Sequence, residues 1–182
     1  LNHVVHHGAI GHHVQNYYAY RATSRIGQVA AVDCATRIGM FCGGTMAEGW
    51  ACYATGLMDE LGFLTDFERV AELHTRVRLL ARAAVDLGLH GGTLTFDRAV
   101  SMFIDTCGMS AEQAHAEVTK ASMFPGAASM YWLGVDGLRQ LRTAHEKALG
   151  NRFNMLDFHD DILSFGSIPV TLIAKLLPPS AS

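Results

Sequence analysis

The sequence predicts an all-α fold, on three observations. Residues that start and end helices recur along the 182-residue chain, and apolar residues repeat at three- and four-residue steps. No segment shows the sustained polar–apolar alternation of a half-buried strand. The composition, 49% hydrophobic and 17% charged, is that of a well-buried globular protein. We therefore expect a single multi-helix domain of about seven or eight helices.

Helix-start and helix-stop residues place the expected elements in order. Ser24 is a candidate cap for a helix that runs to about Phe41 and stops at Gly43-Gly44. Three segments match the capping box, in which Ser or Thr is followed three residues later by Glu or Gln. They open helices at Thr45–Glu48, Thr65–Glu68 and Ser110–Gln113, and further helices are expected over 129–148, 155–164 and 169–177.

The helix that follows Thr65 is expected to be long and to end at Gly88. Its apolar residues fall at helical spacing, which is typical of an amphipathic helix packed against a core. They are Val70, Leu73, Val77, Leu80, Ala84 and Leu87.

Charge and cysteine content exclude some classes of function. The net charge is −3 and the arginines form no basic run, so a nucleic-acid partner is not expected. No apolar run reaches the ~18 residues of a membrane span. The four cysteines contain no C-x-x-C pair, which favours buried free thiols and a cytoplasmic location.

The first residue is Leu, so we expect a fragment of a longer chain that lacks an N-terminal part. A leader in that part would make the location periplasmic instead. An apolar face that normally packs against the missing N-terminal part would favour a homodimer.

Five of the ten histidines lie within the first thirteen residues. Neutral imidazole is the commonest protein ligand for zinc and similar metals. His6 and His12 would lie ~120° apart on an unbroken helix, so they can share an ion only if Gly8 or Gly11 lets the backbone leave helical geometry. The cluster therefore indicates a metal site, provided that the backbone leaves helical geometry between His6 and His12.

Several blocks resemble the C-terminal part of a bacterial family known as domain of unknown function 885, whose members are much longer. Residues 6–15, "HHGAIGHHVQ", resemble its pattern His-Glu-x-x-Pro-Gly-His-His-x-Gln. The other blocks follow in the family's order: "EGWACYATGLMDELG" (48–62), "RAAVDLGLH" (82–90), "PGAASMYWLG" (125–134) and "LGNRFNMLDFHDDIL" (149–163).

The resemblance implies a zincin-like helical arrangement around a zinc or other divalent metal site. His6 and His12 would be ligands, and Glu48 the third. Tyr131 and His159 would donate hydrogen bonds to the developing oxyanion. The implied substrate-binding residues are Arg82 or Arg142, as a grip on a substrate carboxylate, together with His90 and His13. The whole chain, 1–182, would then be a C-terminal catalytic-like domain acting on small peptides or amides.

Two positions depart from the family pattern, because His7 stands where the family has Glu and Ile10 where it has Pro. That glutamate is the usual general base of zinc peptidases, and general-base catalysis is worth ~10²–10⁴-fold. His7 is therefore either the base or an additional ligand, or the site binds without catalysing. Three functions stay open: a metal-dependent hydrolase, a non-catalytic metal- or ligand-binding domain, and a metal enzyme of another reaction class.

Overall fold

A computed structural model describes residues 1–8, 10–29 and 42–179, and within those ranges it contains ten α-helices and no strand. The all-α prediction is confirmed. The helices are α1 (Asn2–His7), α2 (His12–Ala19), α3 (Arg25–Val29), α4 (Gly44–Glu60), α5 (Asp66–His90), α6 (Phe96–Cys107), α7 (Ala111–Met123), α8 (Met130–Leu149), α9 (Met155–Ser164) and α10 (Val170–Leu176).

Side-chain caps start several of these helices, as the sequence predicts. The capping boxes at Thr65 and Ser110 are both formed, with each hydroxyl accepting from the backbone N–H three residues on. Ser24 Oγ accepts from the N–H of Gly27 at 3.3 Å. The rest of the helix expected after Ser24, toward Phe41, lies outside the described residues. Helix α6 was not among the expected elements, although Thr95 caps it in the same way.

The third capping box, Thr45–Glu48, was predicted wrongly. Thr45 lies inside helix α4, which begins at Gly44 with Gly43 as its N-cap residue, and no side chain caps its start. Thr45 Oγ1 instead accepts a hydrogen bond from the N–H of Val170, 3.2 Å away at the start of α10. A tertiary contact therefore replaces the local one, and the Glu48 carboxylate is left to interact elsewhere.

Helices α4 and α8 run parallel and in close contact. Three glycines of α4 contact α8 in the same order along both helices, so the two helices run in the same direction. The contacts are Gly44 with Met130, Gly49 with the backbone of Gly134, and Gly56 with the side chain of Arg139. Small residues at a helix crossing let two backbones approach closely, and this pair forms the centre of the fold.

Two clusters of buried apolar side chains make up the core. The larger surrounds α4, α8, α9 and α10, and the smaller lies between α5, α6 and α7. The larger cluster includes Trp50, Tyr53, Leu138, Phe158 and Ile162, and the smaller includes Val85, Phe103 and Val118.

Helix α5 turns its periodic apolar face away from the core, against expectation. Val70, Leu73 and Leu87 are 64%, 51% and 65% exposed, and Val77, Leu80 and Ala84 are exposed as well. The helix instead buries a face that includes Leu79 and Val85, and it continues to His90 rather than ending at Gly88. Periodicity identified the helix correctly, but it did not identify the side that packs.

No helix in the described ranges is long and apolar enough to cross a bilayer. Cys52 and Cys107 are buried free thiols, as expected. Cys42 is exposed, which corrects the expectation that all four are buried, and Cys34 lies outside the described residues.

Candidate metal centre

The backbone leaves helical geometry between His7 and His12, as a shared ion requires. Helix α1 ends at His7, and α2 begins at His12 after Gly11 at φ −85° and ψ −124°. A Cβ on Gly11 would lie 2.0 Å from the carbonyl oxygen of His6, so only glycine fits this turn. The turn brings the rings of His6 and His12 to a centroid separation of 4.8 Å.

Glu48 meets both of these histidines from α4. Its Oε2 atom lies 3.2 Å from Nε2 of His6 and 3.4 Å from Nε2 of His12. A ring nitrogen of His7 lies within 4.8 Å of those of His6 and His12. The three residues implied as ligands therefore converge, and His7 joins them.

The surroundings of Glu48 favour the ionised form of its carboxylate. Burial alone would raise the pKa of Glu48, but hydrogen bonds from His12 and His6 outweigh it and lower the pKa to about 2. The pKa of His7 is lowered, by burial first and then by its histidine neighbours. The site thus presents an ionised carboxylate and, at His7, a ring that favours its neutral form, and both are forms that bind metals.

The donor set fits a divalent ion. Zinc is bound by His nitrogen and carboxylate oxygen at about 2.0–2.2 Å, which separates neighbouring ligand atoms of a tetrahedral site by roughly 3.3 Å. The two nitrogen–oxygen distances, 3.2 and 3.4 Å, match that separation. The 3.2 Å contact with His6 also suits a hydrogen bond from an imidazole N–H to Glu48 in the metal-free protein.

Cys52 is a further neighbour of the cluster that the sequence patterns did not single out. Its Sγ lies 3.9 Å from Nδ1 of His6, on the side of the ring away from Glu48. Burial, followed by the Glu48 charge, raises the pKa of the Cys52 thiol to about 12, so the sulfur stays protonated. The spacing of Glu48 and Cys52, four residues apart on α4, is the signal that places them on one helix face.

A cavity of about 610 Å³ adjoins the cluster, and His6, His7 and Glu48 contribute to its wall. Tyr131 and Arg82 also line it. Burial, and next the Glu48 carboxylate, raise the pKa of the Tyr131 hydroxyl, which is therefore a hydrogen-bond donor at neutral pH. Two of the residues expected to contact substrate thus share a cavity with the implied ligands.

Arg82 is held by an acid of its own. Its guanidinium binds both carboxylate oxygens of Glu117 on α7, with Nε 2.9 Å from Oε2. Arg78 also contacts Glu117, at 3.4 Å. Arg82 is therefore placed at the cavity but already carries a bidentate partner.

His159 and Arg142 lie apart from the cavity lining. His159 Nε2 is 3.0 Å from the Tyr53 hydroxyl, and its ring packs edge-on against Trp50. Arg142 binds Glu60 at 2.7 Å and reaches the same Tyr53 hydroxyl at 3.4 Å. Both half-buried side chains contact the buried Tyr53, which lies on a different face of α4 from Glu48.

His90 and His13 are not brought to the cavity either. His90 Nε2 lies 3.0 Å from the carbonyl oxygen of Ala121, and His13 is exposed on α2. The conspicuous residue of block 82–90 is the buried Asp86, which accepts a hydrogen bond from the N–H of Ser129 at 2.8 Å. This bond anchors the segment that leads into α8 and so positions Tyr131.

Together these features define a class: an all-α domain with a histidine–glutamate cluster on the wall of a cavity. The chain belongs to the family described as "Bacterial protein of unknown function (DUF885)", whose family model matches residues 1–177. The resemblance seen in the sequence blocks is thereby confirmed.

Two solved structures share the fold. One is described as "a putative lipoprotein of unknown function from Shewanella oneidensis", with 25% identity and a TM-score of 0.78 over 96% of this chain. The other, "the putative lipoprotein from Colwellia psychrerythraea", has 29% identity and a TM-score of 0.68 over 72% of it. The chain spans only 30% and 23% of their respective lengths. No protein with a curated description matches the sequence.

Proposed function

We propose that the chain carries a zinc-dependent hydrolase site for peptide or amide bonds in small substrates, with His6, His12 and Glu48 as the metal ligands. The observation that carries the proposal is the position of one carboxylate oxygen, Glu48 Oε2, at 3.2 and 3.4 Å from two imidazole nitrogens. The adjoining cavity supports it because substrate needs access to such a site.

A zinc ion at this site would acidify a water molecule and polarise a substrate carbonyl. The residues of the chain supply the rest. Tyr131, protonated and facing the cavity, donates a hydrogen bond to the carbonyl oxygen as negative charge develops. Of the two donors implied by the resemblance, Tyr131 takes this role, since His159 lies beside Tyr53. Cys52 orients the ring of His6.

His7 decides between this function and its main alternative. As an exposed neutral imidazole it can accept the proton that the missing glutamate would accept. As a fourth ligand it would complete a tetrahedral set, which is typical of closed structural zinc sites. Its ring nitrogen lies within 4.8 Å of those of His6 and His12, and this observation favours the alternative of a non-catalytic metal-binding domain.

Metal content tests the proposal. The chain is purified without a metal-affinity tag, and bound metals are measured by mass spectrometry together with the thermal shift on adding zinc. We expect about one equivalent of zinc and a clear gain in thermal stability, since tight binding stabilises the folded state by mass action. Less than about 0.1 equivalent and no thermal shift would contradict the proposal. Iron, copper or manganese in place of zinc would favour another reaction class.

A His7→Glu variant separates the two functions. Hydrolysis of short peptides that appears only in the variant means that the native site binds metal without catalysing. Loss of an existing activity means that His7 takes part in the reaction. His13→Glu, a change at the adjacent exposed histidine, is the matched control because that side chain lies outside the cavity.

The location proposed for the protein is the periplasm rather than the cytoplasm. The two structural neighbours are described as lipoproteins, which favours the periplasmic alternative. Cell fractionation of the native host, with this protein detected by antibody, tests the location. Recovery in the cytoplasmic fraction alone would contradict it.

A further inference from the structure

The cavity beside the histidine cluster contains more positive than negative side chains. Glu48 is committed to the two histidines, so its charge does not balance the rest. The cationic residues of the lining are Arg76, Arg78, Arg82, Lys120 and Arg139, and the acidic ones are Glu48, Glu68 and Glu72.

Most of these cations have an acidic partner. Arg78 and Arg82 bind Glu117, and Arg76 binds Glu72 at 2.7 Å. Lys120 is exposed to solvent.

Arg139 is different, because no carboxylate in the part of the chain that the structure describes lies within 4.0 Å of its guanidinium. Its side chain also makes no hydrogen bond within those residues. It is half-buried on α8.

The surroundings of Arg139 make this lack of a partner costly. Its Nη2 atom and that of Arg76 both lie over the buried Gly56, at 2.8 and 3.6 Å from the position a Cβ would occupy there. Burial, and next the charge of Arg76, lower the pKa of Arg139, and the carboxylates of Glu72 and Glu60, beyond ion-pair distance, offset only part of that effect. Two guanidinium groups of like charge thus converge at one end of the cavity, and an anion between them would relieve both costs.

We propose that Arg139, assisted by Arg76, is an anion subsite that binds the carboxylate of a short peptide substrate. Its use in catalysis rests on the proposed function. Tyr131 and Arg139 lie eight residues apart on one face of α8, which is a rise of ~12 Å, and Glu48 and Gly56 are equally far apart on parallel α4. An extended peptide covers ~12 Å with about three residues. The substrate is therefore a peptide with a free carboxylate about three residues from the hydrolysed bond.

The subsite is tested by binding, independently of any activity. The probes are trialanine and trialanine amide, which differ only in the charge of the C-terminus. Each is titrated by NMR into the full 182-residue chain after dialysis against a chelator, so that no metal can bind the carboxylate. We expect the acid to bind about 10-fold or more tightly than the amide, as suits a bidentate charged contact.

Variants of two arginines test whether Arg139 causes the preference for the acid over the amide. Arg139→Gln is expected to abolish it, and Arg139→Lys to retain part of it, because an ammonium keeps the charge without the bidentate geometry. Arg98→Gln, an exposed arginine on α6 outside the cavity, makes the same charge change and is expected to leave the preference intact. Thermal melts of each variant establish that it is folded.

Equal affinity of the unaltered chain for acid and amide overturns the subsite, and this comparison needs no variant. So does an Arg98→Gln variant that loses the preference as fully as Arg139→Gln. The subsite is also overturned if neither peptide binds at millimolar concentration. Zinc content is measured separately. A chain that prefers the acid but binds no metal supports the subsite and contradicts the hydrolase proposal. A chain that binds zinc but does not prefer the acid contradicts the subsite and leaves the hydrolase proposal standing.

Discussion

Gly49 of α4 and Gly134 of α8 are in direct backbone contact. A Cβ on Gly49 would lie 2.6 Å from the Cα of Gly134, and a Cβ on Gly134 would lie 2.0 Å from the carbonyl oxygen of Thr45. The residue before Gly49 is the candidate ligand Glu48, and Tyr131 is one turn before Gly134. This contact between two glycines therefore places a ligand and a hydrogen-bond donor on the wall of the same cavity.

Gly49→Ala is expected to destabilise the chain. Alanine favours a helix by up to ~1 kcal/mol over glycine, but here its methyl group meets backbone, which cannot rotate away. Overpacking of this kind costs about 1–3 kcal/mol, so the free energy of unfolding in urea should fall. Gly44→Ala is the control, because its methyl group meets only the flexible end of Met130. An equal loss in both variants would contradict the importance of the close contact.

His12→Ala should weaken zinc binding while His13→Ala should not. The two residues are adjacent on α2, but only His12 lies within reach of Glu48. Removal of a direct ligand should reduce the affinity by about 100-fold or more, since even the partners behind the ligands contribute 10–100-fold. A competition titration with a chelating dye measures both affinities. Comparable affinities in the two variants would contradict the ligand assignment.

Glu117→Gln should reduce stability at neutral pH and have less effect in acid. Burial would raise the pKa of Glu117, but its hydrogen bonds with Arg82 outweigh burial and lower it. A carboxyl whose pKa is lowered on folding stabilises the protein above its unfolded pKa of ~4.5, and this contribution is lost as the pH falls toward the folded value. We expect the variant to lose ~2 kcal/mol at pH 7.

The measurement for Glu117 is urea unfolding of both proteins at several pH values. The difference in unfolding free energy between the two proteins should shrink as the pH falls through and below ~4.5. There the Glu117 carboxyl of the unaltered protein becomes protonated, first in the unfolded state and then in the folded state. Glu112→Gln, at an exposed position of the same helix, should show no such pH-dependent difference. A difference that stays constant down to acid pH would contradict the assigned ion pair.

The exposed apolar stripe of α5 should drive self-association of the chain. Phe67, Val70, Leu73 and Leu87 are all more than half exposed on one long helix. Burial of apolar surface stabilises association by ~25 cal/mol per Å², and contiguous patches of this kind mark interaction sites. Sedimentation across a concentration series should show a dimer that Val70→Lys with Leu73→Lys returns to monomer.

Leu156→Lys is the control for the stripe, because this residue is 66% exposed on α9 and lies outside the stripe. It should leave the dimer unchanged. A chain that is monomeric throughout the series would contradict self-association through α5.

The sequence predicted which segments are helical better than it predicted what they contact. The boxes at Thr65 and Ser110 formed because both partners of each hydrogen bond lie within one turn. The Thr45 box matches the same pattern but failed, since Val170, 125 residues away, takes the Thr45 hydroxyl. The stripe on α5 shows the same limit, because helical spacing defines a face without defining its partner.

The candidate site, too, was only partly predictable from the sequence. The turn that joins His6 to His12 was foreseeable from Gly8 and Gly11, because glycine is the residue that permits it. The role of Glu48 depended on a resemblance, and its position depends on how α1 and α2 pack against α4. Arg139 carried no sequence signal beyond its eight-residue spacing from Tyr131 on one face of α8.

The sequence by itself determined the all-α class, most helix starts and the histidine-rich turn, because these depend on hydrogen bonds and backbone preferences that span a few residues. Only the tertiary structure decided that Glu48 faces two histidines, that Arg82 and Arg142 are already paired, and that Arg139 has no ion-pair partner among the described residues. Those outcomes depend on which faces of distant helices meet. For α4 and α8 the meeting faces are those on which Gly49 and Gly134 let the two backbones touch.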